Sequence, residues 1–384
     1  MLGAIVTFVR AYNYGAVLQC YALNKVLKEL GIENEVIDYE PDYIYDQYSL
    51  SWMMHIYKIN GMYKDWALRV LVRTLITMKN RKFNRFIKNN INTCHKRFRT
   101  VEELNNANLN YDVYIAGSDQ IWHTGSSRFD PVFYLEFASA NNKLKCSYAA
   151  SIGKTVIPTN LLEEYKTRLS KFDMISIREE DNRETLETLL HRPIDVCLDP
   201  TLLMRKEQWL SLCHKRHRKK YILLYYVQRA SLSKEFAQKL AFEKNLEVHC
   251  VSSNMDPLVI SGLEDKKYGF KYHSTCSPID FLDLVYNAEY VITNSFHATV
   301  FSLIFHKQFI VQTEFEDGGI NNRVENLLNM VKTRNRCLTR EQNPEIDRTI
   351  DWKIVDSLLE TKRKSSIEYI LSIKSKLMDF NGRE

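Results

Sequence analysis

Two kinds of segment alternate along the chain: short runs that are apolar almost throughout, and longer stretches with apolar residues three and four apart. The first kind is expected of strands buried on both faces of a parallel sheet, the second of helices laid over that sheet. Residues 4–9 (AIVTFV), 35–39 (EVIDY), 112–116 (DVYIA), 144–150, 174–178 and 194–198 read as one series of strands. Between the first two, Leu18, Tyr21, Ala22, Val26, Leu27 and Leu30 mark the buried side of a helix, and Gly31 stands where a left-handed cap would close it. Residues 181–190 predict a further helix.

After a polar, basic stretch at 213–220 (CHKRHRKK) the alternation begins again. Residues 221–227 (YILLYYV), 247–251, 290–292 and 309–311 predict strands, with helices at 234–244, 280–286 and from 321 to 330. A long amphipathic helix at 352–378 can pack back across the junction. A chain of 384 residues is long for one core and suits two domains. The boundary falls between 1–212 and 213–384. The fold class expected is α/β: two Rossmann-like domains facing a central cleft, into which the C-terminal ends of the strands open.

Candidate chemistry gathers where strands end. Tyr290-Val291-Ile292 runs into the polar turn Thr293-Asn294-Ser295-Phe296-His297, and from Ala298 a nearly all-apolar helix begins. Such a turn offers free backbone N–H groups, the positive end of a helix dipole and an imidazole at one spot, which suits an anion. After the first strand, Asn13-Tyr14-Gly15 opens a helix without GxGxxG spacing, so no dinucleotide site is expected. Gly117-Ser118-Asp119-Gln120-Ile121-Trp122 ends another strand. Its carboxylate and amide could grip sugar hydroxyls while the indole stacks, or Asp119 could cap a turn and Trp122 fill core. Arg178 closes its strand and could meet a ligand or pair with Glu179 or Glu180.

Charge adds one feature. The net charge is only +6, but residues 58–99 hold twelve Lys or Arg and a single acid, Asp65. Within them Trp66, Leu68, Val70, Leu71, Leu75 and Ile76 form an apolar stripe at near-helical spacing, so a basic helical insertion in the first domain is expected. Its simplest role is packing with a solvated basic face. Peripheral contact with an anionic membrane comes next, and nucleic acid is set aside. The eight cysteines are scattered with no CxxC pair, which fits a reducing cytoplasm and neither a zinc site nor a disulfide scaffold. No apolar run approaches the ~20 residues of a membrane span, and the N-terminus carries no basic leader.

Six segments in order also resemble the polysaccharide pyruvyl transferase family: 13–19 (NYGAVLQ), 117–122 (GSDQIW), 148–153 (YAASIG), 175–179 (ISIRE), 199–201 (DPT) and 294–304 (NSFHATVFSLI). The resemblance implies a GT-B-like architecture. It implies transfer of the enolpyruvyl group of phosphoenolpyruvate, a co-substrate rather than a cofactor, onto two hydroxyls of one sugar. It makes His297 the general acid or a donor-phosphate contact and gives Arg178 a catalytic role. Asn294, Ser295, Arg323 and Lys307 would bind the donor, and Asn13, Tyr14, Gln19, Asp119, Gln120 and Trp122 the acceptor sugar, with no metal. The acceptors of such pathways are often lipid-linked, which adds to the case for membrane proximity. In one respect the chain departs from the family. Many members carry Arg-x-His at the helix start, where this chain has Ser295-Phe296-His297, so either Arg178 or Arg323, with Lys307 a weaker third, supplies the cation, or the donor differs. Two other functions compete: a glycosyltransferase using a nucleotide sugar, with Glu316 or Asp317 on the ribose, and a non-catalytic glycan-binding protein.

Overall fold

The structure is a computed structural model describing residues 2–47, 66–138, 143–214, 219–254, 256–263, 266–316 and 319–381. Strands β1 (Leu2–Val6), β2 (Glu33–Tyr39), β3 (Thr93–Phe98), β4 (Val113–Ala116) and β5 (Leu144–Ser147) form a parallel sheet in the order β3-β2-β1-β4-β5. Bridges from Cys146 to Met174 and from Ala150 to Ile177 continue it to a short pair, β6 (Ser176–Ile177) and β7 (Asp195–Val196). The second half holds β8 (Tyr221–Tyr226), β9 (Glu247–Ser252), β10 (Lys271–Tyr272), β11 (Tyr290–Thr293), β12 (Gln308–Gln312) and β13 (Cys337–Leu338). They form a parallel sheet in the order β10-β9-β8-β11-β12-β13. All six residues of β8 are buried, the reason its run is apolar rather than alternating. Each sheet reverses its strand order beside its first strand, between β1 and β4 and between β8 and β11. Loops diverge at such points and leave a crevice.

Seven helices bear on the site: α1 (Tyr14–Glu29), α2 (Trp66–Asn90), α3 (Ser231–Lys244), α4 (Pro278–Asn287), α5 (Phe296–Ile304), α6 (Asn322–Met330) and α7 (Trp352–Asn381). One buried cluster runs through both halves, from Val17 and Leu18 of α1 through Trp209 to Phe281, Phe301 and Ile370. Tyr14 is part of this seam. Its ring stacks on Phe281 at 4.8 Å and lies 5.1 Å from Phe83 and 5.7 Å from Tyr225. Helix α7 returns to the first sheet, where Tyr369 Oη donates to the Ser147 carbonyl at 2.9 Å and Lys374 Nζ to the Leu30 carbonyl at 2.9 Å.

The basic stretch differs from its expected form in two ways. Residues 93–98 are not helical but form the edge strand β3, so α2 is the crossover from β2 to β3. The helix also turns another face inward: Leu68, Val72, Ile76, Lys79, Phe83, Phe86 and Ile87 are buried, whereas Trp66, Val70 and Leu71 are exposed. A lysine on the buried face broke the apolar pattern, and leucine and valine on the other face supplied a false one. Lys79 reaches across to donate to the Ser252 carbonyl at 3.1 Å, and Lys82 pairs with Asp280 at 3.2 Å, so α2 straps the two halves together. The residues before Trp66 in the expected insertion, 58–65, lie outside the described residues. Among the described residues no helix is long and apolar enough to cross a membrane.

Candidate active site

The crevices of the two sheets face each other across a cleft of about 370 Å³. Its walls are the four switch-point loops: Phe8 to Asn13 after β1, Asp119 and Gln120 after β4, Val227 and Gln228 after β8, and Asn294 to His297 after β11. Arg323 of α6 completes it. Helices α1 and α5 both start here, so the positive ends of two helix dipoles meet at the cleft. Asn13 caps α1, its Oδ1 accepting from Gly15 N at 2.9 Å. Ser295 caps α5, which begins at Phe296, two residues earlier than the apolar pattern suggests. The cap receives Ala298 N at 3.4 Å and leaves the backbone N–H groups of Phe296 and His297 without partners among the described residues. The Asn294 side chain is spent on structure: Oδ1 accepts from Val227 N at 2.9 Å and ties the β8 and β11 loops together.

The two helix ends approach so closely that a Cβ on Gly15 would overlap the His297 ring. His297 is buried, and its Nε2 lies 3.4 Å from Asp199 Oδ2 without hydrogen-bond alignment. Asp199 is held from every side. Oδ1 accepts from Thr201 N at 3.0 Å and Thr201 Oγ1 at 2.6 Å, while Oδ2 accepts from Ser118 Oγ at 3.2 Å and Arg178 Nη1 at 2.9 Å. Burial by itself would raise the Asp199 pKa. The close approach of the His297 ring, the charge of Arg178 and the hydrogen bond from Thr201 outweigh it and hold the carboxyl well below the usual range.

Arg178 lies behind this layer, not in it. Its Nε contacts Glu179 at 3.0 Å, its Nη1 contacts Asp199, and Asp119 stands 4.0 Å away. Phe296 covers the guanidinium, ring centroid to Cζ 4.4 Å. Burial would lower the Arg178 pKa, but Glu179, Asp199 and Asp119 raise it further than burial lowers it. The pairing with an acidic neighbour, one of two outcomes the sequence allows, is the one observed. Arg323 is the contrast: it makes no ion pair or hydrogen bond among the described residues. Burial first, and then the Arg178 charge, hold its pKa below the ordinary arginine value. A cation so placed favours an anion beside it.

Seven of the expected site residues therefore line one cleft: Asn13, Asp119, Gln120, Asn294, Ser295, His297 and Arg323. Tyr14, Gln19, Trp122 and Lys307 do not. Tyr14 lies in the interdomain seam, with no exposed surface. Gln19 is buried with Nε2 donating to Thr7 Oγ1 at 2.9 Å, which braces the β1 loop from beneath. Trp122 is fully buried, donates Nε1 to the Phe133 carbonyl and stacks on Tyr134, so its ring has no face left for a sugar. Lys307 follows the far end of α5, with Nζ over the Tyr286 ring. Asp199 and Glu179 carry no site role in the sequence reading; the available signals are an acidic group just past a strand end and their place in two of the segments that resemble the family, 175–179 and 199–201. Beyond Phe296 and Arg323 a second cavity of about 390 Å³ has apolar walls from Val196, Leu198, Leu327 and Met330, and Arg178, Glu179, Asp199 and Lys362 also line it. Among the described residues no group of three or more His, Cys, Asp or Glu is arranged to hold a metal ion.

Two solved structures of the UDP-GlcNAc 2-epimerase of Methanocaldococcus jannaschii resemble the whole chain. One, in complex with UDP-GlcNAc and UDP, has a TM-score of 0.54 at 14% identity and covers 98% of this chain and 100% of its own. The other has a TM-score of 0.51 at 12% identity, with 94% and 92% covered. At these identities the likeness establishes the fold, GT-B, and nothing of the chemistry. No curated protein matches the sequence. The family model described as polysaccharide pyruvyl transferase matches residues 13–311, a span that takes in the cleft walls from Asn13 to His297 and leaves out Phe8, Ala11 and Arg323. The chain belongs to the polysaccharide pyruvyl transferase family.

Proposed function

We propose that the cleft transfers the enolpyruvyl unit of phosphoenolpyruvate to two hydroxyls of one sugar, forming a cyclic pyruvate ketal and releasing phosphate. The observation that carries this reading is Arg323, an arginine without a carboxylate partner facing His297 and the free N–H groups of α5. Phosphoenolpyruvate brings a carboxylate and a phosphate on three carbons, and this wall offers a guanidinium and a helix N-terminus to receive them. His297 protonates the methylene carbon. A sugar hydroxyl then attacks the adjacent carbon and gives up its proton. The second hydroxyl displaces phosphate, which leaves with the second proton. Asn13, Asp119 and Gln120 are the polar groups on the acceptor side.

The test is phosphate release from phosphoenolpyruvate in the presence of sugars carrying adjacent or 1,3-related hydroxyls. An anion held by a charged hydrogen bond gains about 1.5–3 kcal/mol from it. Arg323→Ala should therefore raise KM for phosphoenolpyruvate roughly 10- to 100-fold, and an unchanged KM would contradict the assignment. Transfer from a nucleotide sugar is the competing reading, because the epimerase that shares the fold holds UDP-GlcNAc. Its expected ribose ligand is not free here: Glu316 accepts Ser231 N at 2.9 Å at the start of α3, and Asp317 lies outside the described residues.

The outer face of α2 supports a second proposal, contact with an anionic membrane. Trp66, Val70, Leu71 and Met78 are exposed on the same side as Arg73, Arg81, Arg85 and Lys88. Co-sedimentation with phosphatidylserine vesicles but not phosphatidylcholine vesicles, lost in a Trp66→Ala/Arg73→Glu variant, is the expected result. Equal recovery with both lipids would count against it.

A further inference from the structure

We infer that Asp199 is a positioning residue for His297: it holds the Nε2–H of the imidazole, so that Nδ1 is the nitrogen through which protons pass to and from a ligand in the cleft. The inference rests on the proposed proton-transfer role of His297 and deepens it. Three observations carry it. Nε2 is buried with no hydrogen-bond partner in the resting geometry, and the acceptor nearest to it by ion-pair distance is Asp199 Oδ2 at 3.4 Å. A small turn of the ring would convert that contact into an N–H···O⁻ bond. Asp199 cannot turn to meet it, because Thr201 fixes Oδ1 while Ser118 and Arg178 fix Oδ2. The other side of the ring, with Nδ1, packs closely on Gly15, where any Cβ would overlap it, at the edge of the cleft that His297 lines. An imidazole that gives one N–H to a fixed carboxylate has its tautomer and orientation set by that bond. Arg178 then acts at one remove. Its buried guanidinium, pinned by Glu179 and Asp199, keeps the Asp199 carboxylate ionised and in place.

The tautomer can be read without any substrate. In the ¹⁵N-histidine-labelled protein, two-bond ¹H–¹⁵N correlations at a pH where imidazole is neutral report which nitrogen carries the proton, and His297→Gln identifies the His297 signal by its loss. The expected result is the Nε2–H form in the wild type and a mixture of tautomers in Asp199→Ala. In turnover of phosphoenolpyruvate, Asp199→Asn should lower kcat on the order of 100-fold with KM changed less than about twofold, since the donor anion is held elsewhere. Gly15→Ala should displace the ring and move the His297 signal. An Nδ1–H form in the wild type would overturn the inference, as would an Asp199→Asn enzyme with unaltered kcat. If Asp199 variants do not fold, the wild-type tautomer decides alone. A wild type with the Nε2–H form but no activity towards phosphoenolpyruvate would leave the pairing standing and remove the proposed reaction.

Discussion

A guanidinium paired with two carboxylates at 2.9 and 3.0 Å is largely neutralised, whereas one that feels the same acidic groups only at a distance, with no direct ion pair among the described residues, is more open to a substrate anion. Arg178 and Arg323, each a candidate to replace the arginine that Ser295 displaces, differ in this way, and the proposed donor role of Arg323 rests on that difference. Arg178 belongs to the buried set Arg178–Glu179–Asp199, and removing one member of such a set leaves an uncompensated charge, at a cost of about 3–5 kcal/mol. The same set makes stability sensitive to acid. Asp199 has its pKa depressed in the folded protein, so its contribution is fully present above the unfolded carboxylate value of about 4 and is lost as the pH falls below it. Thermal unfolding followed from pH 7 downward should show the midpoint dropping steeply below about pH 4. Asp199→Asn should be less stable at pH 7 and flatter in that acid window; an identical slope in both proteins would show that Asp199 is not the group responsible.

At the scale of elements, α2 tests how the two halves are joined. Phe83 has no exposed surface and lies 5.1 Å from the Tyr14 ring and 5.8 Å from the Tyr12 ring. Phe83→Ala should cost about 3–5 kcal/mol in chemical denaturation, the usual range for a large core truncation. A loss below ~1 kcal/mol would mean that the strap is not part of the core. The same helix shows where sequence reading fails. The strands β1, β4, β8 and β11 were legible because residues buried on both faces must be apolar, and the turns after β1 and β11 were legible because helix starts need caps. The face of α2 was not, since Lys79 is buried against tertiary partners, among them the Ser252 carbonyl and the Tyr14 ring. Trp122 and Gln19 failed for the same reason: nothing local distinguishes an indole lying under a loop from one lining a cleft. Asn13, Asp119, Gln120 and His297 reach the cleft because the topology carries strand ends to the crevice whatever the neighbouring side chains are.

For the whole molecule, the continuous apolar cluster across both halves, with α2 and α7 crossing between them, makes the cleft a built feature of the fold and not one assembled by closure. Ligand therefore meets a preformed site, and its binding energy appears directly as stability. The most direct measurement is thermal unfolding of the purified protein with millimolar phosphoenolpyruvate beside UDP-GlcNAc, repeated on Arg323→Ala. A ligand that binds only the folded state adds about 2.7 kcal/mol at 100 times its Kd. The expected result is a raised midpoint with phosphoenolpyruvate, none with UDP-GlcNAc, and loss of the effect in Arg323→Ala. A midpoint raised by UDP-GlcNAc and unmoved by phosphoenolpyruvate would contradict the donor assignment and place the chemistry with nucleotide sugars.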